Sequence, residues 1–302
     1  KYPDKLAMLH ISRDKTERRF TFADMKRAFI LALALVAFAT NRAMAWGGPG
    51  HSIIGYIAET HLTPEAKEKC HYYINHTLAY EASYLDHWRY SKPFKGTAHW
   101  HIGYAYPDRQ YTGDFRDQII KQESIRKSAA YRINEFHNEL RTSYKSMPDS
   151  LVAFKIRALI HMLGDMHCPA HVAIPVEDKP TYEETTVYNR YRLYNNGKKI
   201  SYHALWDRIT SIFYPKRKLP AWIEAVDTYN AKQRAKICKG DANDWLAEIT
   251  KETLRSYKLI PRDTDVAKLT ESQREQLVEL TYQQMAYAGY RLAHILNDVF
   301  KE

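Results

Sequence analysis

The chain has 302 residues, 45% of them apolar, with only 11 Gly and 12 Pro. It is long enough for a sizeable core, and its composition excludes a long disordered tract and a turn-rich all-β chain. The first 45 residues carry nine Lys/Arg against four Asp/Glu, half of the net charge of +10. What remains is mildly basic, which admits an anionic substrate without demonstrating one.

Residues 1–24 read as an upstream extension. Met25-Lys26-Arg27 then opens a basic segment, followed by a mostly Ala and Leu run over 28–39 and by Ala43-Met44-Ala45. That is the three-part pattern of a secretory signal peptide over 25–45, too short in its apolar run to span a bilayer. Cleavage after Ala45 would expose Trp46, leaving 46–302 as one catalytic domain and a secreted or periplasmic product with no stable membrane association.

Helical periodicity dominates the rest. Thr63-Pro64-Glu65 predicts a capped helix from 64 to about 78. Ile119, Ile125, Ile133, Phe136 and Leu140 fall near helical spacing across 115–145. Asp149 or Ser150 is expected to cap a helix through Leu163 that Pro169 breaks. Asn195-Asn196-Gly197 marks a turn in a loop or small hairpin near 177–200. Helices are expected again at about 201–212, 220–238, 242–256 and 271–299. The predicted class is all-α, a single multi-helix domain, monomeric.

The chemistry lies in the histidines. His161 and Asp165 stand four residues apart, on one helical face, and His203 and Asp207 repeat that spacing. One such pair also fits a surface ion pair; two of them, with His171 just beyond the Pro169 break, suit a hydrolytic metal site of nitrogen and oxygen donors. Cys70, Cys168 and Cys238 form no CxxC pair, so thiolate ligation and dithiol redox chemistry are not expected, and buried free thiols are. A Cys70–Cys238 bridge is the alternative. A free amine at Trp46 has a pKa near ~8, so with its own carbonyl it can chelate a metal. Gly47, Gly48 and Gly50 let the chain turn for His51 to join it.

Taken in order, Trp46-Gly47 with Gly50-His51, Asp86 with Arg89, Trp100-His101, His161 with Asp165, Pro169 and His171, and His203 with Trp206-Asp207 resemble the zinc-dependent single-strand nuclease and 3′-nucleotidase family. Ala288-Gly289-Tyr290-Arg291-Leu292-Ala293 is similar to that family's last helix. The resemblance covers nearly all of 46–300. It implies the fold shared by zinc phospholipase C and single-strand nucleases, and three Zn²⁺. Asp86, His101, His161 and Asp165 would hold the first, and His171, His203 and Asp207 the second. Trp46 and His51 would hold the third, with Asp165 bridging it to the first. The implied activity is hydrolysis of single-stranded DNA and RNA to 5′-nucleotides, and removal of 3′-phosphates, by metal-activated water. Asp86, Asp165 and Arg89 would be catalytic, with Arg89 contacting phosphoryl oxygens.

In that family an aromatic residue and an aspartate follow the Trp-His ligand and read the base. Here Ile102 and Tyr104 take those places, so Tyr104 or Tyr106 is the candidate stacking surface. His87, His99 and His167 are not expected to be ligands. The competing readings are a zinc phospholipase C, whose last ligand pair ends in Glu where this chain has Asp207, and a non-catalytic zinc-binding exported protein.

Overall fold

The computed structural model describes residues 46–88, 91–104, 128–174 and 191–301. Those residues belong to one compact unit, Ala43–Glu302. The signal-peptide reading, Arg89, Tyr106 and the periodic positions at 119 and 125 lie outside the described residues.

The fold is mostly helical. Helix α1 is Gly47–Thr60. Thr63 accepts from the Ala66 amide and Pro64 fills the first turn of α2, Pro64–Ile74, as the sequence anticipates, though α2 ends a turn sooner, at Asn75 in the left-handed region. Two short helices follow, α3 (Leu78–Glu81) and α4 (Tyr84–Trp88), then a 3₁₀ segment, Lys92–His101. Helix α5 is Ala129–Ser143 and α6 is Asp149–Met166.

The start of α6 differs from expectation. Pro148 occupies the N-cap and makes no side-chain cap. Asp149 is already helical, and its carboxylate accepts from the Tyr72 hydroxyl at 3.0 Å. The end follows the Pro169 argument. Cys168 lies in the extended region that a following proline imposes, and a 3₁₀ turn, Pro169–His171, replaces the helix.

Two expected helices are each broken in two. Residues 201–212 form α7 (Tyr202–Asp207) and α8 (Ile209–Phe213), because Arg208 leaves the helical region. Residues 220–238 form α9 (Leu219–Val226) and α10 (Ala231–Ile237). Asp227 ends α9 and is drawn off by His61 and Tyr290, and Asn230 opens α10 with a reciprocal capping box to Gln233. Helix α11 is Ala242–Leu259, and α12, Glu271–Phe300, opens with a Thr270–Gln273 capping box. At 30 residues α12 is about 45 Å long.

The hairpin is present: β3 (Arg192–Asn195) pairs antiparallel with β4 (Lys198–Ser201). Asn196 and Gly197 both have positive φ, the primed turn that suits strand twist, and Asp265 accepts from both amides. A second ladder was not legible in the sequence. Gly103–Tyr104 (β1) runs parallel to Val172–Ala173 (β2), with Gly103 opposite Val172.

The described residues form two apolar clusters, the first of them built on α6. One gathers Ile133, Leu140, Ile156, Leu159, Leu163, Leu292 and Leu296. The other gathers Trp46, Ile53, Ile57, Leu205, Trp206, Leu277 and Met285. Helix α12 contributes to both and packs along α1. The C-terminal half of α6 is buried on every side. A polar residue there needs a partner, so His161 and Asp165 are the positions to follow. No helix among the described residues is long and apolar enough to cross a membrane. All three cysteines are free and buried, so there is no Cys70–Cys238 bridge.

Candidate metal centre

Asp165 sits one turn after His161 on α6, and both side chains are fully buried. Its Oδ2 lies 3.0 Å from His161 Nε2 and 2.6 Å from His101 Nδ1. Its Oδ1 faces the other way, 3.1 Å from His51 Nε2. Asp86, from α4, brings Oδ1 to 3.8 Å from His161 Nε2 and 3.9 Å from His101 Nδ1. His51, Asp86 and His161 therefore bring one donor atom each within 4.8 Å of one another, and so do His101, His161 and Asp165.

Backbone carbonyls fix how two imidazoles present themselves. His161 Nδ1 donates to the Ala82 carbonyl at 2.8 Å, which leaves Nε2 as the nitrogen that faces the cluster. His171 Nδ1 donates to the His101 carbonyl at 2.6 Å, leaving its Nε2 lone pair 2.7 Å from His203 Nε2. The β1–β2 pairing makes this contact, since His101 and His171 each stand just before one of the paired strands. His203 and His171 stack at 4.8 Å, and His203 Nδ1 lies 3.3 Å from Asp207 Oδ2.

Trp46 is held from two sides. Its indole donates to the Gly164 carbonyl at 2.8 Å, and its ring meets Trp206 edge-on at 5.7 Å. Its backbone N–H points at the Cys168 thiol, which burial pushes well above the ordinary thiol range. Gly47 has φ +59°, and a Cβ there would run into the Asp207 carbonyl. The bend after α7 thus brings the Asp207 backbone against the start of α1.

Gly164 is a residue the sequence reading did not single out. A Cβ on it would lie 2.6 Å from His51 Nδ1. A glycine inside a helix costs about 1 kcal/mol against alanine, and here it makes room for an imidazole. Gly164→Ala should therefore leave α6 helical yet push His51 off Asp165. We expect at least a tenfold weaker hold on metal at that ligand, read by chelator competition.

The electrostatics follow from burial. Desolvation alone would raise the Asp165 carboxyl, but His161, His171 and the hydrogen bonds from His101 and His161 outweigh it and hold it well below the usual carboxylate range. Burial lowers the His161 imidazole, yet Asp165 and Asp86 overcome that and bring it up to about 9. Burial takes His171 down to about 3, so it is neutral at pH 7. The raised His161 pKa stabilises the metal-free fold fully below its unfolded value near ~6.5, and that contribution is lost as pH rises through about 9. Thermal melts in chelator should accordingly show Tm falling between pH 7 and 9.5. His161→Gln should flatten that slope, and an unchanged slope would contradict the assignment.

The residues fit a metal. Among the described residues, both His51 ring nitrogens, His101 Nε2 and Asp165 Oδ1 are buried with no hydrogen-bond partner. Three carboxylates, Asp86, Asp165 and Asp207, stand among imidazoles in one region, a donor set of nitrogen and oxygen that calls for cations. His87 is exposed, and His99 Nδ1 bonds the Tyr104 hydroxyl at 2.7 Å. His167 bonds the Leu163 carbonyl and Arg291. The Tyr104 hydroxyl is tied to His99 and its ring is half-buried.

The family model described as S1/P1 Nuclease matches residues 46–301. Endonuclease 2 of Arabidopsis thaliana is 23% identical over 290 residues, covering 87% of this chain and 93% of that protein. The match to the family model takes in both apolar clusters and every residue placed around Asp165, and the chain belongs to the S1/P1 nuclease family, hydrolases acting on phosphodiester bonds.

Proposed function

We propose that the protein is an exported, zinc-dependent nuclease that cuts single-stranded DNA and RNA to 5′-nucleotides and removes 3′-phosphates from nucleotides. The observation that carries the reading is the two-sided contact of buried Asp165, with Oδ2 toward His101 and His161 and Oδ1 toward His51. A carboxylate so placed can bridge two cations.

Asp86, His101, His161 and Asp165 would hold one zinc, and His171, His203 and Asp207 a second. The Trp46 amine and carbonyl, with His51 and Asp165, would hold a third. Bound there, zinc supplies Lewis acidity toward phosphoryl oxygens and a water acidic enough to act near neutral pH.

The chain's own groups do the rest. The Ala82 and His101 carbonyls lock the tautomers of His161 and His171, so that each keeps a lone pair on the site. The Gly164 carbonyl and the Trp206 ring hold Trp46 in place. Loaded with metal, the site would carry net positive charge suited to a phosphodiester, and Arg89 would contact its non-bridging oxygens. Export rests on the leader pattern over 25–45, whose removal frees the Trp46 amine.

The test uses zinc-loaded chain beginning at Trp46, with metal counted per chain. Single-stranded DNA, RNA, 3′-AMP and phosphatidylcholine are offered separately. Cleavage of the nucleic acids and 3′-AMP with three zinc per chain is expected. Turnover of the lipid alone would instead identify a phospholipase C, and no turnover at full zinc loading a binding protein.

A further inference from the structure

Arg291 is a cation that the metal chemistry does not use. It sits on α12, 1% exposed, with its guanidinium between the Trp245 and Tyr287 rings, each 5.2 Å from it. Burying a guanidinium is costly unless each arm has a partner. Its Nε donates to the Ile237 carbonyl at 3.1 Å, and one arm pairs with Glu248. The remaining arm, Nη1, donates to His167 Nε2 at 2.9 Å. Glu248 is 45% exposed, so joining α11 to α12 needs only a surface pair. The buried arm has a different addressee.

His167 is the residue on which α6 ends, two past Asp165 and four before His171. Its Nδ1 donates back to the Leu163 carbonyl at 2.8 Å, an oxygen that also accepts from the His167 amide, so the ring is folded against its own helix end. Only Nε2 then remains to accept, and Arg291 fills it. From there the contacts run on without a gap. The Cys168 amide bonds the Asp165 carbonyl at 2.9 Å, the His171 amide bonds the Cys168 carbonyl at 2.8 Å, and the His171 ring bonds the His101 carbonyl.

We propose that Arg291 is a positioning residue of the metal centre, locking through His167 the bend that aims His171. Without the guanidinium, His167 Nε2 is a buried acceptor with no donor, and its ring is held from one side only, through Nδ1. The turn from 167 to 171 then loosens, while His161, inside α6, does not. The damage should be selective, falling on the site that His171 shares with His203 and Asp207. The proposal rests on the zinc reading above.

The test measures zinc per chain and zinc affinity by competition with a chromophoric chelator, alongside far-UV circular dichroism and melting in chelator. Arg291→Met and His167→Leu should fold, hold one zinc about tenfold or more weaker, and keep the other two at parental strength. His167→Gln should recover parental affinity, because its Oε1 can take the place of Nε2 as acceptor for Arg291. If Arg291→Met does not fold, His167→Leu decides, since it leaves Arg291 its partners on Glu248 and Ile237. Lower melting temperatures with three zinc bound at parental strength would reduce Arg291 to a structural strut and overturn the proposal. So would a His167→Gln that behaves as His167→Leu does. A parent chain that holds no zinc would fail separately, taking the zinc reading down first and this inference with it.

Discussion

Asp165→Asn should lower kcat/KM on single-stranded DNA by about 10³-fold or more, equivalent to ~4 kcal/mol of transition-state stabilisation. Asn has nearly the same shape, so α6 and its packing are retained. What is lost is one charge at the point where His51, His101 and His161 converge. A neutral amide oxygen is a weak ligand and cannot bridge two cations. The same substitution removes the chief partner that raises His161, whose pKa should then fall back under the influence of burial. Two readouts therefore move together. Zinc per chain drops, and in chelator the loss of stability between pH 7 and 9.5 disappears. An Asn variant that keeps its zinc and its rate would remove Asp165 from the centre of the scheme.

Blocking the Trp46 amine should be nearly as damaging. In a chain carrying residues up to Ala45, the Trp46 nitrogen is an amide whose lone pair is delocalised into the carbonyl. It cannot serve as a donor, whereas the freed amine, with a pKa near ~8, can. Trp46 is fully buried, pinned through its indole to Gly164 and through its ring to Trp206, so the nitrogen cannot relocate to compensate. The unprocessed chain should bind one zinc fewer and lose about 10³-fold in rate. Both should return when a protease releases Trp46. Equal zinc and equal turnover before and after processing would contradict the assigned ligation.

The two expectations differ in how far they could be read from the chain alone. The His161–Asp165 pair is local: a helix of known period puts residues four apart on one face, and the apolar run around them predicts burial. The capped start of α2, the break at Pro169 and the primed turn at Asn196-Gly197 are legible for the same reason, since each depends on a few neighbouring residues. The breaks at Arg208 and between Asp227 and Asn230 were not. Asp227 is claimed by His61 and Tyr290, partners 166 and 63 residues away, and local periodicity carries no trace of them. Gly164 was missed in the same way, and Arg291 entered only as one letter of a motif similar to the family's last helix, without a role. Each looks ordinary in its own helix, and its significance comes from His51 and His167 arriving from other elements.

By itself the sequence determined the helical class, the order of the candidate ligands and the family resemblance, because periodicity and spacing are properties of neighbouring residues. Tertiary structure alone decided that Asp165 faces two clusters with its two oxygens and that a two-residue parallel ladder carries His101 to His171. It also decided that a buried arginine from the last helix closes on His167. Those contacts join residues from 64 to 124 positions apart. They exist because burying the apolar faces of α1, α6 and α12 together leaves polar groups inside that must find one another or a cation.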